Sequence, residues 1–220
     1  MTLNRKKFAV LLSGCGHLDG AEVSESVITL LHIDKIDIDY DVFAFDSLQK
    51  EIVNHVSKQV EKENSRNMMF EAARISRVIH NAASLNPQKY DALIIPGGMG
   101  VAKNFSNLAF VGAEFDVIPE VSQLIIEFAS LEKPIGAICI APAIVAKVLK
   151  NNGYEPVVTV GEINELLESL EISQELCSAD DIVVDHVNKL ITTPAYMLDA
   201  RLSEIYLGIE KLILKTQELC

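Results

Sequence analysis

The 220 residues are 49% hydrophobic and 23% charged, which supports one sizeable core, read as a single domain over 1–220, and excludes a disordered chain. With 31 acidic against 19 basic residues the formal charge is -12, a balance that excludes a nucleic-acid groove or an electrostatic anchor on an anionic membrane. Four cysteines without a CxxC spacing exclude a zinc knuckle and a disulfide framework. No apolar run approaches the ~20 residues that span a bilayer. Strand-like sequence begins at about Phe8, with no room before it for a signal peptide, so a cytoplasmic protein is expected.

Short β-type runs alternate with longer helical ones, the pattern of a mostly parallel sheet covered on both faces. Residues 7–13 (KFAVLLS) read as a buried strand, 21–33 as the following helix, and 40–46 (YDVFAFD) as a second strand. Met68, Ala72, Ile75 and Ile79 recur at helical spacing and predict a helix over 67–83. Residues 91–98 (DALIIPGG) read as strand then tight turn, 121–130 as a helix, and 133–139 (KPIGAIC) as a buried strand. Pro142 suits the first turn of the next helix and Gly153 its C-terminal cap. Beyond it come strand-like 155–161, a charged helix at 162–171, a hairpin turning near Asn188, and a final helix over 197–218. Right-handed crossovers then give a doubly wound, flavodoxin-like α/β fold, a three-layer αβα sandwich that binds ligands outside the carboxyl ends of its strands.

Those ends carry the chemistry: SGCGHLDGAE, PGGMG and CIAPA. Cys139 is flanked two positions away by Ala137 and Ala141, and such small residues permit a sharp strand-to-helix turn that presents a nucleophile. The helix amino end directed at the sulfur is expected to lower the thiol pKa. The opposite reading is a buried structural cysteine, ordinary in an apolar strand. Gly97 and Gly98 leave backbone N–H groups free to form, with Ile140, an oxyanion hole, or they are simply a tight turn. Gly14, Gly16 and Gly20 miss the GxGxxG dinucleotide spacing by one residue, with Asp46 at the place of a ribose-binding acid. Glu22 at the loop's end is either a proton shuttle for the thiol or an acid favourable at a helix start. His17, Asp19 and Glu22 have no recognised ligand spacing, so no metal is expected.

The stretches LLSGCGHLDGAE, SRNMMFEAARISR, DALIIPGGMGVAKNFSN, KPIGAICIAPA and ITTPAYM resemble the ThiJ/PfpI (class I glutamine amidotransferase-like) superfamily, and within it the enhancing-lycopene-biosynthesis (ElbB-type) glyoxalase-like group. The resemblance implies a flavodoxin-like fold, often dimeric, with a cysteine at the elbow hydrogen-bonded to a glutamate of the first loop. On this sequence those positions are Cys139 and Glu22, with backbone donors from Gly97 or Gly98 and from Ile140. It also implies conversion of glyoxal to glycolate without glutathione or another cofactor. Many relatives place a histidine directly after the cysteine; here Ile140 stands there, so no local Cys–His dyad forms and glutamine hydrolysis is disfavoured.

The expected protein is thus a glyoxalase-type lyase acting on a small reactive dicarbonyl such as glyoxal, a homodimer with no nucleic-acid or membrane partner. The alternative is a non-catalytic cysteine redox sensor or modulator linked to isoprenoid metabolism. Cys15, His17, Asn67 and Asn104 are possible pocket residues, with Arg66 and Lys103; capping and surface solvation are their other reading. His32, His80 and His186 are expected at the surface.

Overall fold

The computed structural model describes residues 5–220. In chain order the elements are β1 (Lys7–Leu11), α1 (Val23–Lys35), β2 (Asp39–Ala44), α2 (Met68–Ala72), β3 (His80–Asn81), β4 (Ala92–Ile95), α3 (Met99–Lys103), α4 (Leu108–Val111), α5 (Pro119–Ser130), β5 (Ile135–Ile138), α6 (Ala141–Asn151), β6 (Val157–Val158), α7 (Glu165–Ser169), β7 (Ser173–Gln174), β8 (Val183–Asp185), β9 (Leu190–Thr193) and α8 (Leu202–Leu219). Seven strands form one sheet in the order β3-β2-β1-β4-β5-β9-β8, parallel except for β8, and β6 pairs with β7 apart from it. This is the expected flavodoxin-like three-layer sandwich.

Alternation along the strands divides the core in two. Ala9, Leu11, Leu93 and Ile95 face one side, packed with Phe105, Phe115, Phe128 and the apolar stripe of α6. Phe8, Val10, Ala92 and Ile94 face the other, under α1 and α8. Near-continuous apolar strands are what a parallel sheet covered on both faces requires. The helix α8 comes close to the sheet over Gly136, where a methyl group would lie 2.8 Å from Leu212 Cδ2.

The order reverses at β1: α1 carries the chain to β2 on one side, and β4 and β5 lie on the other. The carboxyl ends of β1 and β4 therefore open onto a shared crevice, where this fold class places its ligands.

The expectations for the helix over 67–83, for His32 and for the start of the final helix need correction. The helix over 67–83 stops at Ala72, because His80 and Asn81 extend to pair with Phe43 and Ala44 as the sheet's edge. Ile75 and Ile79 pack against the core from the irregular segment between α2 and β3 instead, and an apolar repeat alone does not separate the two cases. His32 is 2% exposed rather than at the surface, covered by the Tyr206 ring with centroids 4.4 Å apart. The final helix starts at Leu202, where Glu204 accepts from the Arg201 N–H. The hairpin turns where expected, with Asp185 Oδ1 accepting from Val187 and Asn188.

Leu212 is fully buried between α8 and the sheet. Leu212→Ala should lower unfolding stability by about 2–5 kcal/mol, read as a lower urea midpoint at unchanged slope.

Candidate active site

Between β5 and α6, Cys139 takes φ 63, left-handed backbone that a non-glycine residue adopts only under constraint. Its N–H donates to Thr193 O at 3.0 Å, and Ala137 and Ala141 are fully buried on either side. The side chain is thus turned out of the strand toward the crevice, yet it is only 8% exposed. Pro142 sits in the first turn of α6 as expected.

The turn after β4 reaches this cysteine from the neighbouring strand. A methyl group on Gly97 would overlap the Cys139 Cβ and stand 2.7 Å from Glu25 Oε2. Only glycine fits between them. Gly98, at φ 99, takes a conformation that disfavours any side chain, and a methyl group there would overlap the Glu22 backbone N.

Glu25, not Glu22, is the acid beside the cysteine. Glu25 is fully buried, and its Oε2 accepts the Gly97 N–H at 2.9 Å. Its carboxyl also faces the Cys139 thiol and the Tyr196 N–H, while Oε1 has no partner at hydrogen-bond geometry among the described residues. Glu22 is instead the N-cap of α1: its Oε2 accepts the Glu25 N–H at 2.6 Å, and its own N–H donates to Gly97 O at 2.9 Å. In a capping box the third helical residue's carboxyl would reach back to the N-cap N–H. Here that link is opened, and both polar groups of Gly97 are inserted into it.

Burial, followed by repulsion from Glu22, pushes the Glu25 pKa up to about 8, against the N–H donors of Gly97 and Tyr196 and the Cys139 thiol. The Cys139 thiol is likewise raised, first by burial and then by Glu25, against the N–H groups of Gly98 and Ile140 that face the sulfur. The expected lowering by the helix terminus is therefore outweighed by desolvation and a neighbouring acid. The two groups titrate as a coupled pair that holds its protons at neutral pH. Of the expected backbone donors, Gly98 and Ile140 point at the sulfur, whereas the Gly97 N–H is engaged by Glu25.

The other expected residues are held by partners of their own, away from the Cys139 sulfur. Asn104 is buried and fully engaged, donating to Ser13 O and Asp19 O at 2.9 Å each and accepting from Lys50 N. Lys103 pairs with Glu51 and donates to Leu18 O. Asn67 caps α2 and donates to Asp46 Oδ1 at 2.7 Å. Cys15 is half-buried in the first loop, and burial raises its thiol pKa. His17 is exposed, edge-on to His55 with ring centroids 5.0 Å apart. The glycines that suggested a dinucleotide turn are covered: Gln49 lies against Gly14 and His55 against Gly16. Asp46 is bound to Asn67.

Glu25 and the backbone of Tyr196 are the participants that motif reading missed. The signal was there for Glu25: it stands in one helical stripe with Ile28, Thr29, His32 and Ile33, all buried, and a carboxyl in a core-facing stripe is a functional flag. Tyr196 enters through backbone alone, from the turn after β9, which residue type cannot announce.

The DJ-1/PfpI family pattern matches residues 18–192. The chain belongs to this family. A rat relative, "ES1 protein homolog, mitochondrial", is 37% identical, with 98% of this chain and 84% of the relative covered. The human "Glutamine amidotransferase-like class 1 domain-containing protein 3, mitochondrial" is 36% identical, covering 97% and 83%. Among solved structures, an "isoprenoid biosynthesis protein with amidotransferase-like domain" from Ehrlichia chaffeensis superposes with a TM-score of 0.92 at 36% identity, covering 97% of this chain and 99% of that one. The mitochondrial naming of the rat and human relatives overturns the expectation of a cytoplasmic protein.

The Glu25 position makes a sign-definite prediction. In the folded protein it keeps its proton to about 8, against an ordinary value of 4.5. Its contribution is therefore fully present below the lower value and is lost as pH rises through the higher one, by about 1.4 kcal/mol per pH unit between them. Glu25→Gln should flatten the fall of the urea midpoint across that window relative to wild type. Parallel curves would show that Glu25 is not buried as an acid.

Proposed function

We propose that this member of the DJ-1/PfpI family is a cofactor-free, cysteine-dependent enzyme of the glyoxalase-like kind, converting glyoxal to glycolate. The observation that carries the reading is the juxtaposition of Cys139 with a carboxyl that is both buried and proton-bearing near neutral pH. Glu25 takes the part that sequence alone gave to Glu22.

In the chemistry this pair supports, the ionised fraction of Glu25 takes the thiol proton as sulfur attacks one aldehyde carbon. The carbonyl π pair becomes an alkoxide, held by the Gly98 and Ile140 N–H groups and then protonated by Glu25. The Glu25 carboxylate next removes the C–H proton from the sulfur-bearing carbon and passes it to the second carbonyl oxygen, giving an enediol, then takes the hydroxyl proton of the sulfur-bearing carbon and delivers it to the neighbouring carbon. This leaves a glycolyl thioester, which water hydrolyses to glycolate and free thiol. One carbon is oxidised and the other reduced, so the balance is glyoxal plus water with no external redox partner. The low exposure of Cys139 suits a two-carbon substrate.

The competing reading, a redox sensor tied to isoprenoid metabolism, is favoured by the name of the Ehrlichia chaffeensis protein. It is disfavoured by a sulfur that is buried and held protonated, since exposed thiolates oxidise first.

Glyoxal consumption and glycolate formation by wild type, Cys139→Ser and Glu25→Gln decide between them. Cys139→Ser should abolish turnover, and Glu25→Gln should reduce kcat at least ~100-fold. Equal rates in wild type and Cys139→Ser would sink the enzyme, and selective peroxide oxidation of Cys139 without turnover would support the sensor.

A further inference from the structure

The peptide joining Gly97 to Gly98 is trans, so its carbonyl oxygen and its N–H point in opposite directions. On one side the Gly97 carbonyl accepts the Glu22 N–H at 2.9 Å; on the other the Gly98 N–H faces the Cys139 sulfur. A peptide between two glycines is poorly restrained by its own sterics, because both flanking residues tolerate either sign of φ. A flip would turn the carbonyl toward the sulfur and the developing oxyanion, reversing the local dipole. What opposes the flip is the hydrogen bond from the Glu22 N–H, which depends on Glu22 staying at the head of α1.

That place is held by the Glu22 side chain and carbonyl. Its Oε2 caps the Glu25 N–H at 2.6 Å, and its carbonyl accepts both Ser26 N at 3.0 Å and Ser26 Oγ at 2.6 Å. We propose that Glu22 is a positioning residue that locks the peptide between Gly97 and Gly98 in the orientation that aims the Gly98 N–H at Cys139. Glu22 acts through the first turn of α1 and not on the substrate. The inference rests on the reading of Cys139 as the reactive thiol.

Charge and capping must be separated, because Glu22 also opposes ionisation of Glu25, whose other neighbours are the Cys139 thiol from the elbow and the N–H groups of Gly97 and Tyr196. Glu22→Gln removes the charge and keeps an acceptor of the same reach, Glu22→Ala removes both, and Glu22→Asp keeps charge and a good N-cap. The readout is the pH profile of Cys139 alkylation by iodoacetamide, followed on the Cys139 peptide by mass spectrometry. Glu22→Ala should react about tenfold more slowly than Glu22→Gln at neutral pH, with its profile displaced upward, part of the ~100-fold effect of losing one oxyanion donor. Glu22→Asp should match wild type. Coincident profiles for Glu22→Ala and Glu22→Gln overturn the proposal. If Glu22→Ala does not fold, Glu22→Met, of similar length without an acceptor, gives the same comparison. Because the assay reads the thiol, it stands even if glyoxal turnover proves independent of Cys139, an outcome that removes the proposed enzyme alone.

Discussion

One glycine residue holds the site together. Gly97 gives its N–H to Glu25 and its carbonyl to the Glu22 N–H, and its missing side chain is the space in which the Cys139 Cβ and the Glu25 carboxyl approach one another. Three elements distant in sequence, the head of α1, the end of β4 and the turn before α6, are thereby fastened at one point. Neither the strained Cys139 backbone nor the buried carboxyl would persist without it, since each is costly alone and tolerable only when the surroundings fix it.

The sheet explains why that point lies where it does. Parallel strands β1, β4 and β5 end at the same level, and the reversal of strand order at β1 leaves the loops after β1 and β4 without a helix between them. The first loop is then sealed from above by the excursion over 47–67, where Gln49 Nε2 donates to Asp19 O and Val53 N to Asp19 Oδ2. The groups set against Cys139 are thus mostly backbone, from Gly97, Gly98 and Ile140, with the buried Glu25 carboxyl as the side chain among them.

Much of this was legible in the sequence. Alternating strand and helix patterns gave the sandwich, and CIAPA and PGGMG gave the elbow and its facing turn, because glycine, proline and small residues encode local geometry directly. The choice between two glutamates three residues apart was harder. Glu22 looked like the loop's contribution because it ends the loop, but which of the two turns inward depends on where α1 begins: Glu22 is its N-cap, and Glu25 falls on the buried stripe with Ile28, Thr29 and His32. The break at Ala72 was hidden because edge pairing with β2 is a long-range reward that helical periodicity does not report. Tyr196 contributes an N–H, and backbone donors have no sequence signature.

The near-complete enclosure of Cys139 also decides which electrophiles compete for it. A bulky disulfide such as oxidised glutathione must bring its own sulfur into line with the attacking thiolate, and a sulfur this deeply set offers no such approach. The thiol is sieved by girth before reactivity matters, so it would persist in reduced form amid a pool of large oxidants while remaining open to molecules only a few atoms across.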